Sequence, residues 1–273
     1  MTPLLNHARV TAPGHTPERW LLVLHGIYGR GRNWGTIMRR VVEQRPEWGA
    51  LLVDLRLHGG STEGFLPPHT LAASAADVDA LVAHVDFHAA AVLGHSFGGK
   101  VALMYAEHHA EGLQQVWVID STLEPRAPSG SAWRMIEVLR ALPSEFDSRE
   151  EAVGGIEAAG YATGIAQWMA MNLRRDDDGK YRWQIDLEGM EEMLRDFFRT
   201  DLWPVLEHPP AGAEIHVVKA TESNALDAEA TTRIEAMAEQ PGSRVSLHEL
   251  EGGHWINTDN PEAVIELLVR ELS

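Results

Sequence analysis

Six short apolar runs alternate with helical patterns along this chain, and that alternation restricts its fold more than any other feature of the sequence. We predict strands at 19–26, 49–55, 89–95, 114–120, 214–220 and 244–250. The first four are mostly continuous apolar runs, which is typical of strands covered on both faces. The helical patterns lie at 33–44, 70–86, 97–110, 227–240 and 261–272. The alternation predicts an α/β fold with a mostly parallel central sheet flanked by helices.

Residues 121–208 interrupt this alternation. They hold no good strand pattern, are rich in large apolar side chains, and are too numerous for a connecting loop. We therefore expect a core formed by 1–120 and 209–273, with 121–208 inserted as a helical cap. Within the cap, "RRDDDGK" at 174–180 lacks the spaced oxygen ligands of a calcium loop, so we expect a solvated turn at Asp178-Gly179.

Bulk properties exclude several classes of function. The 273-residue chain has a formal net charge of −17, so a phosphate backbone or an anionic membrane surface would repel it. It has no cysteine and hence no disulfide framework. No signal peptide or bilayer-length apolar run is evident. We expect a soluble cytoplasmic protein, monomeric or homodimeric, that binds neither nucleic acid nor membrane.

The most specific motif is a glycine-rich turn around a serine. Gly94-His95-Ser96-Phe97-Gly98 matches G-x-S-x-G and stands between a predicted strand and a predicted helix. A sharp strand-to-helix turn strains its apical residue, and glycines on either side let neighbouring backbone approach closely. The turn would hold the Ser96 hydroxyl at a helix N-terminus, where free N–H groups favour a developing negative charge. Ser96 is therefore the candidate nucleophile.

A serine nucleophile needs a base, and His254 occupies a suitable position. It lies in "ELEGGHWINTDNPE", after the last predicted strand and before the last helix. The chain has 14 histidines, so position rather than residue type singles it out. His25 and His95 flank the same region, and we expect them to shape the backbone.

The oxyanion donors are predicted to be backbone N–H groups. One belongs to Phe97, which directly follows the serine. The second should come from the loop after the first long strand, where "LHGIYG" places Ile27. Because backbone donors do not constrain side-chain identity, Ile27 is assigned by position alone.

Several motifs, taken in order, carry a resemblance to a known family. They are H-G-x-x-G from His25, "DLRLHGGS" at 54–61, "GHSFGGK" from Gly94, and "GGHW" ending at Trp255. Together they resemble the α/β-hydrolase superfamily, and within it the small YbfF-type esterases and their mitochondrial abhydrolase-domain relatives. The resemblance covers nearly the whole chain. It implies the α/β-hydrolase fold, hydrolysis of carboxylic esters with broad acyl specificity, and no cofactor or metal.

The triad acid has more than one candidate. Many α/β hydrolases place it after the strand that follows the cap, where this chain offers Glu222 and Asp227 with Asn224 near the usual position. The other candidate is Asp120, at the end of the strand before the cap, where the resembling esterases also carry an aspartate. We favour Asp120 and keep Glu222 and Asp227 as alternatives. Asp54 also ends a strand, and we expect it to anchor the "RLHGGS" loop.

The sequence therefore predicts a serine hydrolase that cleaves small-molecule esters of small or medium acyl chains through Ser96, His254 and Asp120. The same fold also supports thioesterases, carbon–carbon hydrolases, menaquinone-pathway-type lyases and non-catalytic ligand-binding proteins. A thioesterase acting on acyl-CoA would need basic residues near the cap. We expect the five candidates to be solvated surface charges: Arg126, Arg134, Arg140, Arg174 and Arg175.

Overall fold

The computed structural model describes residues 3–109, 111–210 and 212–273. The strands are, in chain order, β1 (His7–Val10), β2 (Arg19–Leu24), β3 (Trp48–Val53), β4 (Ala89–His95), β5 (Gln115–Ile119), β6 (Glu145–Phe146), β7 (Leu173–Arg175), β8 (Tyr181–Trp183), β9 (Glu214–Ala220) and β10 (Val245–Leu250). The α-helices are α1 (Gly35–Gln44), α2 (Leu71–His84), α3 (Phe97–His108), α4 (Gly130–Ala141), α5 (Arg149–Ala158), α6 (Thr163–Ala170), α7 (Leu187–Arg199), α8 (Trp203–Glu207), α9 (Ala228–Ala238), α10 (Ile256–Asp259) and α11 (Pro261–Glu271).

A seven-stranded sheet runs through the molecule in the order β1-β3-β2-β4-β5-β9-β10. All neighbouring pairs are parallel except β1 and β3. Every residue of β3, β4 and β5 is buried, because helices cover both faces. The predicted fold class is confirmed, and the six predicted strands lie within about two residues of the observed ones.

Strand β1 was not predicted from the sequence. Its four residues, "HARV", are half-buried or exposed, and it pairs antiparallel with β3 at the sheet edge. An edge strand buries little apolar surface, so it leaves no apolar run in the sequence.

Two apolar clusters lie on opposite faces of the sheet. One contains residues of α1 and α11 together with Trp34 and Trp117. The other contains residues of α2 and α3 and extends into α4, α6 and α7. The last helix begins as predicted, with the Asn260 side chain accepting from the N–H of Ala263 and Pro261 in its first turn. No helix within the described ranges combines the length and hydropathy needed to cross a bilayer.

The segment between β5 and β9 is mostly helical, but the expectation that it contains no strand is wrong. It includes a small antiparallel sheet in the order β6-β8-β7. These strands are only two or three residues long, so no periodic pattern marks them. "RRDDDGK" forms the β7–β8 turn, as predicted, with Gly179 at φ 85°. The division into core and cap remains a prediction, since these elements do not by themselves delimit domains.

Two buried polar groups join this helical segment to the sheet-covering helices. The Lys100 ammonium of α3 donates to the carbonyl oxygens of Phe197 (2.8 Å) and Thr200 (2.7 Å). The Asp196 carboxylate of α7 accepts from the N–H of Leu71, the first residue of α2, at 2.7 Å. Burial lowers the pKa of Lys100 to about 8. These contacts fix α7 over the carboxyl end of β4, where the serine lies.

Candidate active site

Ser96 stands at a strained turn between β4 and α3. Its φ is 52° and its ψ is −117°, a conformation that few non-glycine residues adopt. The flanking glycines are required by space. A Cβ on Gly94 would lie 1.9 Å from the carbonyl oxygen of Gly98, and one on Gly98 would lie 2.6 Å from that of His25. The turn geometry is the one the motif predicted.

Ser96, His254 and Asp120 are brought together although they are far apart in sequence. His254 Nε2 lies 3.0 Å from Ser96 Oγ, and His254 Nδ1 lies 2.6 Å from Asp120 Oδ2. Asp120 is fully buried at φ 45°, and its second carboxylate oxygen accepts from the N–H of Ala220 at 3.1 Å. These partners assign the imidazole proton to Nδ1 and leave Nε2 to accept from the serine hydroxyl.

The two alternative acids lie elsewhere. Asp227 caps α9 by accepting from the N–H of Ala230 at 2.9 Å. Glu222 is exposed in the loop after β9. Within the described part of the chain, neither carboxylate is hydrogen-bonded to His254, whereas Asp120 is. The geometry therefore supports Asp120 as the acid in any mechanism that uses His254.

His25 and His95 support the backbone of the site, as expected. His95 Nε2 donates to the carbonyl oxygen of His254 at 2.7 Å. His25 Nε2 accepts from the N–H of Leu55 at 3.0 Å, while its Nδ1 donates to the carbonyl oxygen of Gly26 at 2.7 Å. Burial lowers the pKa of both histidines, and that of His95 falls to about 3 with the neighbouring His254 contributing. Both rings are therefore neutral supports at physiological pH.

The predicted oxyanion donors lie beside the serine. Ile27 and Phe97 are both buried and, with Ser96, line one cavity. Phe97 is the first residue of α3, so its N–H lies at a helix N-terminus. Among the backbone hydrogen bonds of the described turns and loops, neither N–H donates to a carbonyl group. Within the described residues both N–H groups are therefore available to an acceptor at Ser96.

Sequence reasoning missed two residues, His58 and Asn172, that hold the loop after β2, which carries Ile27 and Tyr28. Tyr28 follows Ile27 and adopts φ 63°. His58 Nε2 accepts from its N–H at 3.0 Å, and the Asn172 side chain donates to its carbonyl oxygen at 3.1 Å. His58 lies in the "RLHGGS" motif, which was a usable signal, but no local pattern marks Asn172.

Asp54 anchors the neighbouring loop, as predicted. Its carboxylate accepts from the N–H groups of Gly31 (2.7 Å) and Gly60 (2.8 Å) and from the Asn6 side chain (2.7 Å). Asn6 and Gly60 lie in loops and Gly31 begins a short 3-10 helix, so Asp54 joins three backbone segments near the site without contacting the serine.

Ser96 opens into two cavities of different character. One, about 460 Å³, contains Ser96 and His254 and has a mixed lining, in which hydroxyl and amide side chains lie beside apolar ones such as Phe197 and Phe198; we call it the polar cavity. A second, small space of about 40 Å³ is also lined by Ser96, together with Trp168. It shares Trp168 and Trp255 with a cavity of about 400 Å³ that also includes Trp34, which we call the aromatic cavity. An ester at Ser96 would therefore meet the rings of Trp168 and Trp255 on one side and a lining of mixed polarity on the other.

The five arginines divide into two groups. Arg140 pairs with Glu191, Arg174 pairs with Asp176, and Arg175 donates to the carbonyl oxygen of Gly179, so these three are surface groups as expected. Arg134 is also exposed and lies over the ring of Tyr161. For Arg126 the expectation is wrong.

Arg126 is half-buried and lines the polar cavity together with Ser96. The segment after β5 turns inward there, since the N–H of Arg126 bonds to the carbonyl oxygen of Phe198 at 2.8 Å. In the described ranges, no cluster of three or more His, Cys, Asp or Glu side chains could hold a metal ion.

Comparison with known proteins gives the same fold and related sequences. Residues 21–267 match the model of the alpha/beta hydrolase family. A relative from Mus musculus, named sn-1-specific diacylglycerol lipase ABHD11, is 22% identical over 93% of this chain and 80% of its own length. Lipase LipV from Mycobacterium tuberculosis is 26% identical over 91% of each chain. A solved structure titled marine microorganism esterase superposes with a TM-score of 0.83 at 20% identity, covering 98% of each chain.

Proposed function

This chain belongs to the α/β-hydrolase family, and from that premise we propose that it hydrolyses carboxylic esters of small or medium acyl chains. Its relatives include proteins named lipases, which supports a hydrolase. One observation carries the finer proposal: the Asp120–His254–Ser96 hydrogen-bonded series with the serine at φ 52°. In this proposal Ser96 is the nucleophile, His254 the general base and Asp120 the supporting acid.

Acylation begins with proton transfer from Ser96 Oγ to His254 Nε2. The serine oxygen attacks the ester carbonyl carbon, and the carbonyl oxygen becomes an oxyanion that accepts from the N–H groups of Ile27 and Phe97. His254 then gives its proton to the leaving alcohol, which completes the acyl-enzyme. Asp120 stabilises the imidazolium in each step, and because it is fully buried its charge acts with little screening by water.

Deacylation repeats these steps with water in place of the serine. His254 takes a proton from water, the hydroxide attacks the acyl carbonyl carbon, and His254 returns the proton to Ser96. The same N–H groups bind the second oxyanion. No residue outside the set predicted from the sequence is needed for the proton transfers.

The test is hydrolysis of p-nitrophenyl esters from acetate to decanoate by the wild type, Ser96→Ala and Asp120→Asn. We expect Ser96→Ala to lower kcat/KM at least about 1,000-fold, because the nucleophile is lost. Asp120→Asn should lower it about 100-fold or more, because an amide neither fixes the tautomer nor stabilises the imidazolium. Asp227→Asn is the matched control, since that carboxylate only caps α9.

Two results would contradict the proposal. Near-normal activity of Asp120→Asn would remove Asp120 from the mechanism. Failure of the folded wild type to hydrolyse any ester in the series would favour a thioesterase, a carbon–carbon hydrolase, a lyase or a ligand-binding role.

A further inference from the structure

The polar cavity contains the guanidinium of Arg126, and this group has no ion-pair partner among the described residues. Arg126 lines this cavity with Ser96 and His254. Its Nε is buried and has no hydrogen-bond partner within the described residues. The guanidinium carbon lies 5.9 Å from the ring centroid of Phe198, which supports one face of the group. A buried guanidinium N–H without an acceptor is costly, so an acceptor supplied by a ligand would be bound favourably.

Among the described residues Arg126 has no carboxylate partner, although the net charge of the chain is −17. Other arginines of the same segment form ion pairs, as Arg140 does with Glu191 and Arg182 with Asp178. No ion pair within the described ranges involves Arg126. The nearest carboxylate in sequence, Glu124, accepts instead from the Thr122 hydroxyl at 2.7 Å.

The surroundings of Arg126 suit an anionic group. Hydroxyl groups of Ser129 and Ser131 and the amide of Asn224 also line the polar cavity. Apart from His254, Arg126 is the only basic residue among the described residues of this lining. One guanidinium matches a monoanion, and its planar donors fit a carboxylate in bidentate fashion.

We propose that Arg126 binds a carboxylate of the substrate, so that the enzyme prefers esters that carry an anionic group on the polar-cavity side and an apolar group on the aromatic side. This inference rests on the proposed ester hydrolysis at Ser96. It assigns Arg126 a role in specificity and none in the proton transfers.

The experiment compares pairs of similar esters, of which one carries a negative charge and the other is neutral. On the acyl side the pair is p-nitrophenyl hydrogen adipate and p-nitrophenyl hexanoate. On the alcohol side it is p-acetoxybenzoate and p-acetoxybenzamide. For each pair the ratio of kcat/KM, anionic over neutral, is measured for the wild type and for Arg126→Met. We expect the ratio to fall about tenfold or more in one pair, because a charge-assisted hydrogen bond is lost, and that pair shows which side occupies the polar cavity.

Arg134→Met is the matched control, because it removes an exposed arginine of the same segment that does not line the polar cavity. It should leave both ratios unchanged. Arg126→Lys keeps the charge without the planar guanidinium, so its kcat/KM ratio should lie between those of the wild type and Arg126→Met. Ratios that are equal in the wild type and Arg126→Met for both pairs would overturn the proposal.

A binding measurement separates this inference from the proposed function. Calorimetry with monomethyl adipate and with p-acetoxybenzoate on Ser96→Ala does not require turnover. We expect Kd for one of them to rise about tenfold when Arg126→Met is added, and not when Arg134→Met is added. If the wild type hydrolyses no ester, the proposed function fails while this Kd still decides the role of Arg126. An unchanged Kd for both probes would overturn the anion site even in an active esterase.

Discussion

At the scale of single residues, backbone strain is concentrated at the site. Ser96 and Asp120 each follow the end of a central strand, and both have positive φ, 52° and 45°. Such conformations persist only where surrounding contacts determine them, here the hydrogen bonds to His254 and the close packing of the glycines. The strain at Ser96 was predictable from G-x-S-x-G, whereas nothing in "VIDST" indicates the same strain at Asp120.

Gly94→Ala is expected to be strongly destabilising, by about 3 kcal/mol or more, because its Cβ would lie 1.9 Å from the carbonyl oxygen of Gly98 and backbone would have to move. Gly154→Ala is the matched control. Gly154 is exposed within α5, and a Cβ there would meet nothing within 4 Å. That change should raise the free energy of unfolding by about 0.5–1 kcal/mol. Urea unfolding of both variants measures the two effects.

A small loss of stability in Gly94→Ala would show that the turn can relax. The close approach of β4 and α3 would then not explain why the motif has glycine at position 94. Activity measured on the folded fraction would show whether Ser96 had moved with it.

At the scale of elements, hydrogen bonds join the residue before β7 to the loop after β2, which carries Ile27 and Tyr28. Asn172, just before β7, is buried and donates to the carbonyl oxygen of Tyr28 at 3.1 Å. The side-chain oxygen Oδ1 of Asn172 accepts from the Arg30 guanidinium at 3.0 Å, and the Tyr28 hydroxyl donates to the carbonyl oxygen of Ala132 at 2.9 Å. The loop that carries the Ile27 N–H is therefore positioned partly by residues between β5 and β9.

Asn172→Ala is expected to lower kcat about tenfold for p-nitrophenyl butyrate with a smaller change in KM. Loss of the amide frees the Tyr28 carbonyl group and loosens the Ile27 N–H, which acts mainly in the transition state. Arg182→Ala is the control in the same small sheet, since it removes the ion pairs to Glu145 and Asp178 without touching the loop. Both variants are first checked for a normal melting transition. Their kcat and KM values are then compared by steady-state kinetics.

Equal losses of kcat in Asn172→Ala and Arg182→Ala would show that the small sheet matters only for general stability. An unchanged kcat in Asn172→Ala would show that the loop after β2 keeps its geometry without the hydrogen bond from Asn172 to Tyr28.

At the scale of the whole molecule, several histidines are buried and neutral. Burial lowers the pKa of His58 and His95 to about 3 and that of His216 to about 4. Because each folded-state pKa lies below the unfolded value of about 6.5, the unfolded chain binds more protons between these limits. The free energy of unfolding should therefore fall as the pH decreases from about 6.5 towards 4.

His216→Phe tests this dependence. His216 stacks on Trp117 with ring centroids 4.0 Å apart, and its Nδ1 lies 3.0 Å from His248 Nε2. Phenylalanine keeps the stacking and removes the titration. Between about pH 6 and pH 5, the slope of unfolding free energy against pH should decrease by up to about 1.4 kcal/mol per pH unit. The negative charge of Glu271 would reduce this change, because it raises the pKa of His216 and so favours the protonated form.

His15→Phe is the control, because His15 is exposed and should leave the slope unchanged. Denaturant titrations at several pH values give the unfolding free energy at each pH and hence its slope against pH. Loss of the hydrogen bond between His216 and His248 also changes the unfolding free energy itself, so the slopes rather than the absolute values are compared. A slope for His216→Phe equal to that of the wild type would show that His216 is already protonated in the folded state.

The sequence by itself determined the parts of this protein that depend on local chemistry. The central parallel strands, the helices between them, the strained turn at Ser96 and the loop position of His254 all leave a mark within about ten neighbouring residues, as an apolar run, a glycine pair or a cap. The edge strand β1 and the short strands around Arg182 left no such mark, because they bury too little apolar surface to require a pattern.

Only the tertiary structure shows which carboxylate is hydrogen-bonded to His254 and which arginine is half-buried. The sequence favours Asp120 over Glu222 and Asp227 by position and resemblance alone, whereas the packing of β5 against β9 places Asp120 Oδ2 at 2.6 Å from His254 Nδ1. Arg126 differs from its neighbours only because the chain after β5 turns inward and buries its Nε. Contacts between segments distant in sequence depend on how whole elements pack, and no local pattern encodes that packing.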